Sequence, residues 1–168
     1  MTTTVSPELL QQLLDEHGAA LELFARQWSD TPEDCVQEAF LELVRQPCPP
    51  HNPPAWLFRV VRNKALSQRR SALRRKKHET AAAANAAWFV PAETPAFDTA
   101  ALTAALGTLS EEHREVIVAR IWGGLSFEQI ADVIGASTSS AHRRYEAGLR
   151  TLREMLTPEH PPAAVQTG

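Results

Sequence analysis

Apolar positions along this chain recur at helical spacing, and strand-like alternation is nearly absent. Between residues 7 and 28, Leu9, Leu10, Leu13, Leu14, Ala20, Leu21 and Phe24 fall three and four apart, with a break expected near Gly18. Thr31-Pro32-Glu33-Asp34 then reads as a helix start, with a Thr cap, Pro at the first helical position and acids in the first turn. That helix is expected to run to about residue 45. Pro47, Pro49, Pro50, Pro53 and Pro54 rule out helix over 46–54, because each removes a backbone donor. A long basic helix follows over about 55–79. Residues 80–99 are alanine-rich and then broken by Pro91 and Pro95, the mark of a linker. A second helical set is expected over 101–109, 111–122, 126–134 and 138–156. The fold class is therefore all-α, two small helical domains over 1–80 and 98–157, joined by a flexible linker at 81–97. A disordered tail is expected at 158–168.

Composition adds limits. The chain has 168 residues, 43% of them hydrophobic, enough for one ordinary domain or two small ones. It contains no apolar run of the roughly 18 residues a membrane span needs. Its first residues lack the basic start and apolar core of a signal peptide, so the cytoplasm is the expected compartment. Two cysteines, Cys35 and Cys48, make no disulfide framework. Cys48 and His51 stand three apart in the proline-rich loop without a second ligand pair, so a plain loop is favoured over a metal site, and no metal or cofactor is expected.

The net charge of −3 argues against nucleic acid, but the average hides its distribution. Residues 1–55 carry nine acids and two bases, giving −7, and residues 56–80 carry nine bases and Glu79, giving +8. A chain split this way carries faces for different partners.

The sharpest local signal is in the second domain. Ser126 and Gln129 have the spacing of a capping box, Ala131 is small where helices must cross, and Gly135 can take the positive φ of a sharp turn. Ser137 or Thr138 caps the next helix, where Ala141, Tyr145, Gly148, Leu149, Leu152, Met155 and Leu156 share one apolar arc expected to be core. The opposite face carries Ser139, Ser140, Arg143, Ala147 and Arg150, flanked by His142 and Arg144. Small hydroxyls let a backbone approach DNA, amide ends favour a phosphate, and an arginine one turn in reaches base edges. The bland reading is a solvated face on a helical hairpin. Coincidence of capping box, Ala, Gly and basic face favours a DNA-binding helix-turn-helix.

In the first domain, the acidic helix puts Val36, Ala39, Phe40, Leu43 and Val44 on one face and Asp34, Gln37, Glu38, Glu42 and Arg45 opposite. Leu41 falls in the middle of the polar face. A lone exposed Leu needs no explanation, whereas a Leu ringed by acids suggests a protein-docking surface. In the basic helix, Leu57, Phe58, Val61, Ala65 and Ala72 form a core stripe, and Arg59, Arg62, Asn63, Arg69 and Arg70 share the opposite arc. Trp56 stands at its mouth. Arginines neutralise phosphates, Asn pairs with a base edge and an aromatic stacks on an unpaired base. The alternative is a surface helix whose Arg stems cover apolar area, with Trp56 packed in the core.

These segments resemble known ones. Asp34-Cys35-Val36-Gln37-Glu38-Ala39-Phe40 followed by Trp56-Leu57-Phe58-Arg59-Val60-Val61-Arg62-Asn63 resembles regions 2.2 to 2.4 of sigma-70 superfamily factors. The stretch from Leu109-Ser110 to Arg153 is similar to their region 4. Order and spacing match the extracytoplasmic-function (ECF) type. The resemblance implies a sigma region 2 helical bundle, a region 4 helix-turn-helix, and promoter-directed transcription initiation in which catalysis belongs to the polymerase, so no enzyme is expected. It implies that Asp34, Gln37, Glu38 and Leu41 bind the clamp helices of the polymerase β′ subunit. Trp56, Arg59, Arg62, Asn63, Arg69 and Arg70, with loop 47–54, would capture the −10 element. Ser139, Ser140, His142, Arg143, Arg144 and Arg150 would read the −35 element. Core RNA polymerase, through its β′ clamp helices and β flap, and promoter DNA are the implied partners. The resemblance leaves open an anti-sigma factor.

There are departures. Members commonly carry a Gly-Thr-Val-Lys-like run where this chain has Ser139, Ser140, Ala141 and His142, so promoter sequence does not transfer from relatives, and the capture loop is unusually proline-rich. Two other classes compete. A stand-alone helix-turn-helix regulator explains residues 109–156 but leaves the acidic and basic helices without a task. For an enzyme, the six histidines are scattered, with no paired carboxylates, metal spacing or glycine-rich phosphate loop.

Overall fold

In this computed structural model the described residues are 5–77 and 99–157, with side chains from residue 104 onward in the second stretch. The linker expected at 81–97, the last residues of the basic helix and the tail at 158–168 lie outside the described residues. Helices are α1 (Pro7–Ala25), α2 (Pro32–Val44), α3 (Pro53–Lys76), α4 (Thr99–Thr108), α5 (Glu111–Ile121), α6 (Phe127–Ile134) and α7 (Thr138–Leu156). No strand occurs among the described residues. The fold class is the all-α one expected, with a first bundle of α1–α3 and a second helical unit of α4–α7.

Five local expectations are corrected. α1 runs unbroken through Gly18, which is buried. An isolated glycine costs about 1 kcal/mol of helix propensity, and the packed turns around it, with Leu13, Leu21 and Phe24 buried, carry that loss. α3 begins at Pro53 rather than after Pro54, because first-turn prolines lack only N–H groups that would have had no helical partner. Asn52 caps it, its Oδ1 accepting from the Ala55 N–H at 2.9 Å. Thr31 precedes α2 but makes no side-chain cap bond. Its N–H instead donates to Ser29 Oγ, and the Ser29 hydroxyl donates to Gln68 Oε1, which ties this turn to α3. At the far end of α7, Met155 and Leu156 are each 47% exposed and are not core. Val44, placed on the apolar face of α2, is likewise exposed.

Within the bundle, Leu21, Phe24, Ala39, Leu43, Leu57, Phe58 and Val61 are fully buried. Phe24 meets Phe58 edge-on with centroids 5.1 Å apart, and Trp28 at 5.2 Å. Edge-to-face aromatic pairs of this kind add about 0.5–1.5 kcal/mol beyond their burial.

The core does not stop at the end of the bundle. It continues into Val116, Val118, Ala119, Leu125, Ile130 and Ala131, with α3 packed on α6 and α1 on α5. Gly123 is what permits this approach. A Cβ there would lie 2.7 Å from Phe58 Cζ and 2.5 Å from the Ala119 carbonyl oxygen, so only a bare backbone fits under the Phe58 ring. A second cluster of Ala105, Leu106, Leu109, Ile117 and Leu152 joins α4 to α5 and α7. Arg114 secures the end of α4 by donating to the carbonyls of Leu106 and Gly107 at 2.8 and 3.1 Å, and to that of Leu109 just beyond it at 2.7 Å. The last turn of a helix leaves its carbonyls short of helical donors, and the guanidinium supplies them.

Candidate nucleic-acid interface

The α6–α7 pair has the geometry the spacing predicts. Ser126 Oγ accepts from the Gln129 N–H at 3.2 Å while Gln129 Oε1 accepts from the Ser126 N–H at 2.8 Å, a reciprocal capping box. Gly135 ends α6 in the left-handed region at φ 68°, which L side chains avoid. Ser137 caps α7 by accepting from the Ser140 N–H at 3.1 Å. Two capped helices thus meet at a sharp glycine turn, as a helix-turn-helix requires.

On α7, Ser139, His142, Arg143 and Arg150 are exposed and Ser140 is half-buried. Arg143 donates to Ser140 Oγ at 3.1 Å. The His142 ring stands 4.8 Å from that of Phe127. Arg150 borders an open recess with Arg120, Arg153 and Tyr145. Arg144 departs from this group. It turns to α5, 3.6 Å from Glu112 and 3.8 Å from Glu115.

The expected −10 residues on α3 also divide. Arg59, Asn63 and Arg70 are exposed. Trp56 is half-buried and packs against the core, so its ring serves the fold and the surface together. Arg62 and Arg69 are engaged. Arg62 Nε donates to Glu115 Oε2 at 2.9 Å, with its guanidinium 5.8 Å from the Trp28 ring. Arg69 holds Glu111 through two bonds, at 2.6 and 3.2 Å.

Glu111 and Glu115 have opposite electrostatics. Burial opposes the Glu111 charge, but the bonds and charge of Arg69 outweigh it and hold its pKa below the ordinary value. Glu115 is only 3% exposed, and there burial prevails over Arg62 and Arg144, so its pKa is raised. Sequence reasoning missed this acid row. Its one signal was the spacing of Glu111 and Glu115, which puts both on one helix edge without naming a partner.

On α2, Asp34, Gln37 and Glu38 are exposed and Leu41 is 50% exposed among them. Lys64 of α3 reaches over to Glu42 at 3.0 Å and Glu38 at 3.5 Å. Its own burial works against its charge, yet the two carboxylates raise its pKa. Beside Leu41 runs an open groove of about 580 Å³ lined by Leu10, Leu14, Val36, Phe40 and Val44. Among the described residues no three His, Cys, Asp or Glu side chains group as a metal site. No described helix is long and apolar enough to cross a membrane.

Fold and surface together define a helical DNA-binding factor of two units, one of which carries a separate acidic face around an exposed leucine. Comparison with known proteins makes this specific. Residues 13–75 match the model of Sigma-70 region 2, and residues 105–154 match that of Sigma-70, region 4. The ECF RNA polymerase sigma factor SigL of Mycobacterium tuberculosis is 35% identical over 159 residues, 88% of this chain and 89% of that one. The RNA polymerase sigma factor CarQ of Myxococcus xanthus is 33% identical over 74% of each chain. Among solved structures, the sigma factor RpoE of Bartonella quintana, in complex with the anti-sigma factor NepR, superposes with a TM-score of 0.73 at 26% identity. That match covers 90% of this chain and 98% of the other. CnrH, in complex with the cytosolic domain of CnrY, gives 0.56 at 25% identity, over 90% and 89%.

The chain belongs to the sigma-70 family, in its ECF branch, and is a sigma factor for promoter-specific transcription initiation. A stand-alone helix-turn-helix regulator would leave the match over 13–75 without a reason.

Proposed function

We propose a division of labour among three surfaces of this factor. The α2 face of Asp34, Gln37, Glu38 and Leu41 docks on the β′ clamp helices of core RNA polymerase, with Leu41 as apolar anchor and acids as the rim. Region 2, residues 1–80, opens and captures the −10 element through Trp56, Arg59, Arg62, Asn63, Arg69 and Arg70 with loop 47–54. Region 4, residues 98–157, reads the −35 element as duplex through Ser139, Ser140, His142, Arg143, Arg144 and Arg150, and meets the β flap. Residues 81–97 connect the two along the polymerase. Polymerase supplies the catalysis, and the work is done in the cytoplasm. An anti-sigma factor is a further partner, since two sigma factors of similar fold are known in complex with NepR and with CnrY.

The observation that carries this reading is the separation of charge on the surface. Exposed acids surround a bare Leu41 on α2, while exposed bases stand on α3 and α7. Arginine on phosphate releases counterions and gives affinity, and a bidentate arginine on a base edge gives sequence preference. The test is run-off transcription with core polymerase on genomic fragments, with start sites mapped. Discrete starts that depend on the chain are expected. Their absence, with the factor bound to polymerase, overturns the assignment.

A further inference from the structure

One carboxylate touches both DNA-reading helices. Glu115 of α5 holds Arg62 of α3 at 2.9 Å through one oxygen and lies 3.8 Å from Arg144 of α7 through the other. Its neighbours extend the pattern: Glu111 takes Arg69 of α3 in a two-bond grip, and Glu112 lies 3.6 Å from Arg144. Guanidinium uses the same planar fork for carboxylate and for phosphate. Three arginines assigned to DNA are therefore on protein acids instead. The contact is a built one: Glu115 is nearly inaccessible, and Phe58 seats against the bare backbone of Gly123 within a core continuous across the two units.

This arrangement is incompatible with the DNA-bound one. Elements centred near −10 and −35 lie about 25 base pairs apart, roughly 85 Å along B-DNA at 3.4 Å per pair. Helices whose arginines share one carboxylate cannot span that distance.

We propose that the acidic edge of α5 is an internal stand-in for DNA phosphate, which clasps α3 against the second unit in the free chain and must be released before the −10 element is read. The inference rests on the assignment of Arg62, Arg69 and Arg144 to DNA. Its consequence is that the free factor binds DNA weakly, since apparent affinity falls with the fraction of open chain. Binding that separates the two units, as docking on a polymerase that holds them apart would, frees Arg62 and Arg69, whose acids lie in the other unit, at the moment they are needed.

The test uses the full chain without polymerase. Glu111→Lys sets a positive charge against Arg69 at an exposed position, and Asp15→Lys on the exposed face of α1 makes the same change in net charge away from the clasp. X-ray scattering reads opening, and anisotropy with a fluorescein-labelled, mixed-sequence single-stranded oligonucleotide reads DNA binding. Glu111→Lys should enlarge the radius of gyration and bind at least about tenfold tighter, with a smaller gain for Asp15→Lys and no expansion. A chain that stays compact, or gains no more than Asp15→Lys, overturns the proposal. The swapped pair Arg69→Glu with Glu111→Arg should be compact again, which excludes general unfolding as the cause of expansion. A swap that remains expanded also overturns it. Separately, Arg69→Ala is assayed in holoenzyme on a mapped promoter. Undiminished open-complex formation there refutes the DNA role of Arg69 and with it the stand-in for DNA, while scattering still reports whether the clasp exists.

Discussion

The two basic helices differ in charge, α3 with eight bases and no acid and α7 with four bases and two acids, and they also present it differently. On α7, Arg143 and Arg150 face solvent, and only Arg144 is drawn back to α5. On α3, Arg59 and Arg70 are exposed but Arg62 and Arg69 are held by Glu115 and Glu111. The face proposed for the −35 duplex is thus mostly free in this chain, whereas the face proposed for the −10 element is half occupied. A basic face read from sequence measures capacity, and availability depends on what else in the fold is acidic and near. The acidic face of α2, the proposed docking surface, is the third case, open apart from the Lys64 bridge.

The largest effect is expected where docking precedes all DNA contact. Glu38→Lys with Leu41→Asp should abolish co-elution with core polymerase and leave the melting temperature nearly unchanged, because both side chains are exposed. A strongly lowered melting temperature would mean the face is structural. Next come the residues assigned to unpaired bases. Base–aromatic stacking is worth ~1–3 kcal/mol, so Trp56→Ala should slow open-complex formation about tenfold or more. Asn63→Ala should act in the same direction, and a pre-melted template should rescue much of either loss. Trp56 also packs on the core, so its variant is compared at a temperature well below its own melting point. Lack of rescue would remove both residues from the melting step.

On α7 the effects are smaller and divide in kind. Arg143→Ala should relax preference at one or two upstream base pairs, each worth roughly 1–3 kcal/mol for a bidentate contact. Arg150→Ala should weaken all sequences alike and lower the salt slope by about 0.9. Holoenzyme binding to a library of upstream elements at several salt concentrations separates the two. A base preference shifted by Arg150→Ala and untouched by Arg143→Ala would rotate the assignment around the helix.

The smallest effect is a pH signature of the clasp. Glu111, with its pKa lowered, contributes stability that is present above the ordinary 4.5 and lost as pH falls through its folded value. Glu115, with its pKa raised, contributes stability that is present below 4.5 and lost as pH rises through its folded value. Glu115→Gln removes that second loss. Its melting temperature relative to the parent should therefore climb as pH rises from about 4 to neutrality. A difference that shrinks over that range contradicts the burial argument.

Much of this was legible in the sequence because it is local. The capping box at Ser126, the left-handed Gly135, the α7 cap and the exposed Leu41 each depend on residues within one or two turns. The misses have two sources. Pro53 and Pro54 were read as breakers although a first turn tolerates them, and Gly18 was read as a break although tertiary packing overrides propensity. The clasp was not legible for a deeper reason. Arg62 and Glu115 are 53 positions apart, and opposite charges on two helices say nothing about contact until Phe58 and Gly123 bring the helices together.

This chain is expected to read promoter DNA only as part of a polymerase complex. Nuclease protection of a mapped promoter, with the chain alone and with core polymerase added, tests it most directly. Protection of both the −10 and −35 elements should appear only with polymerase present. Equal protection by the chain alone would mean that polymerase is not needed to open the clasp or to place the two units.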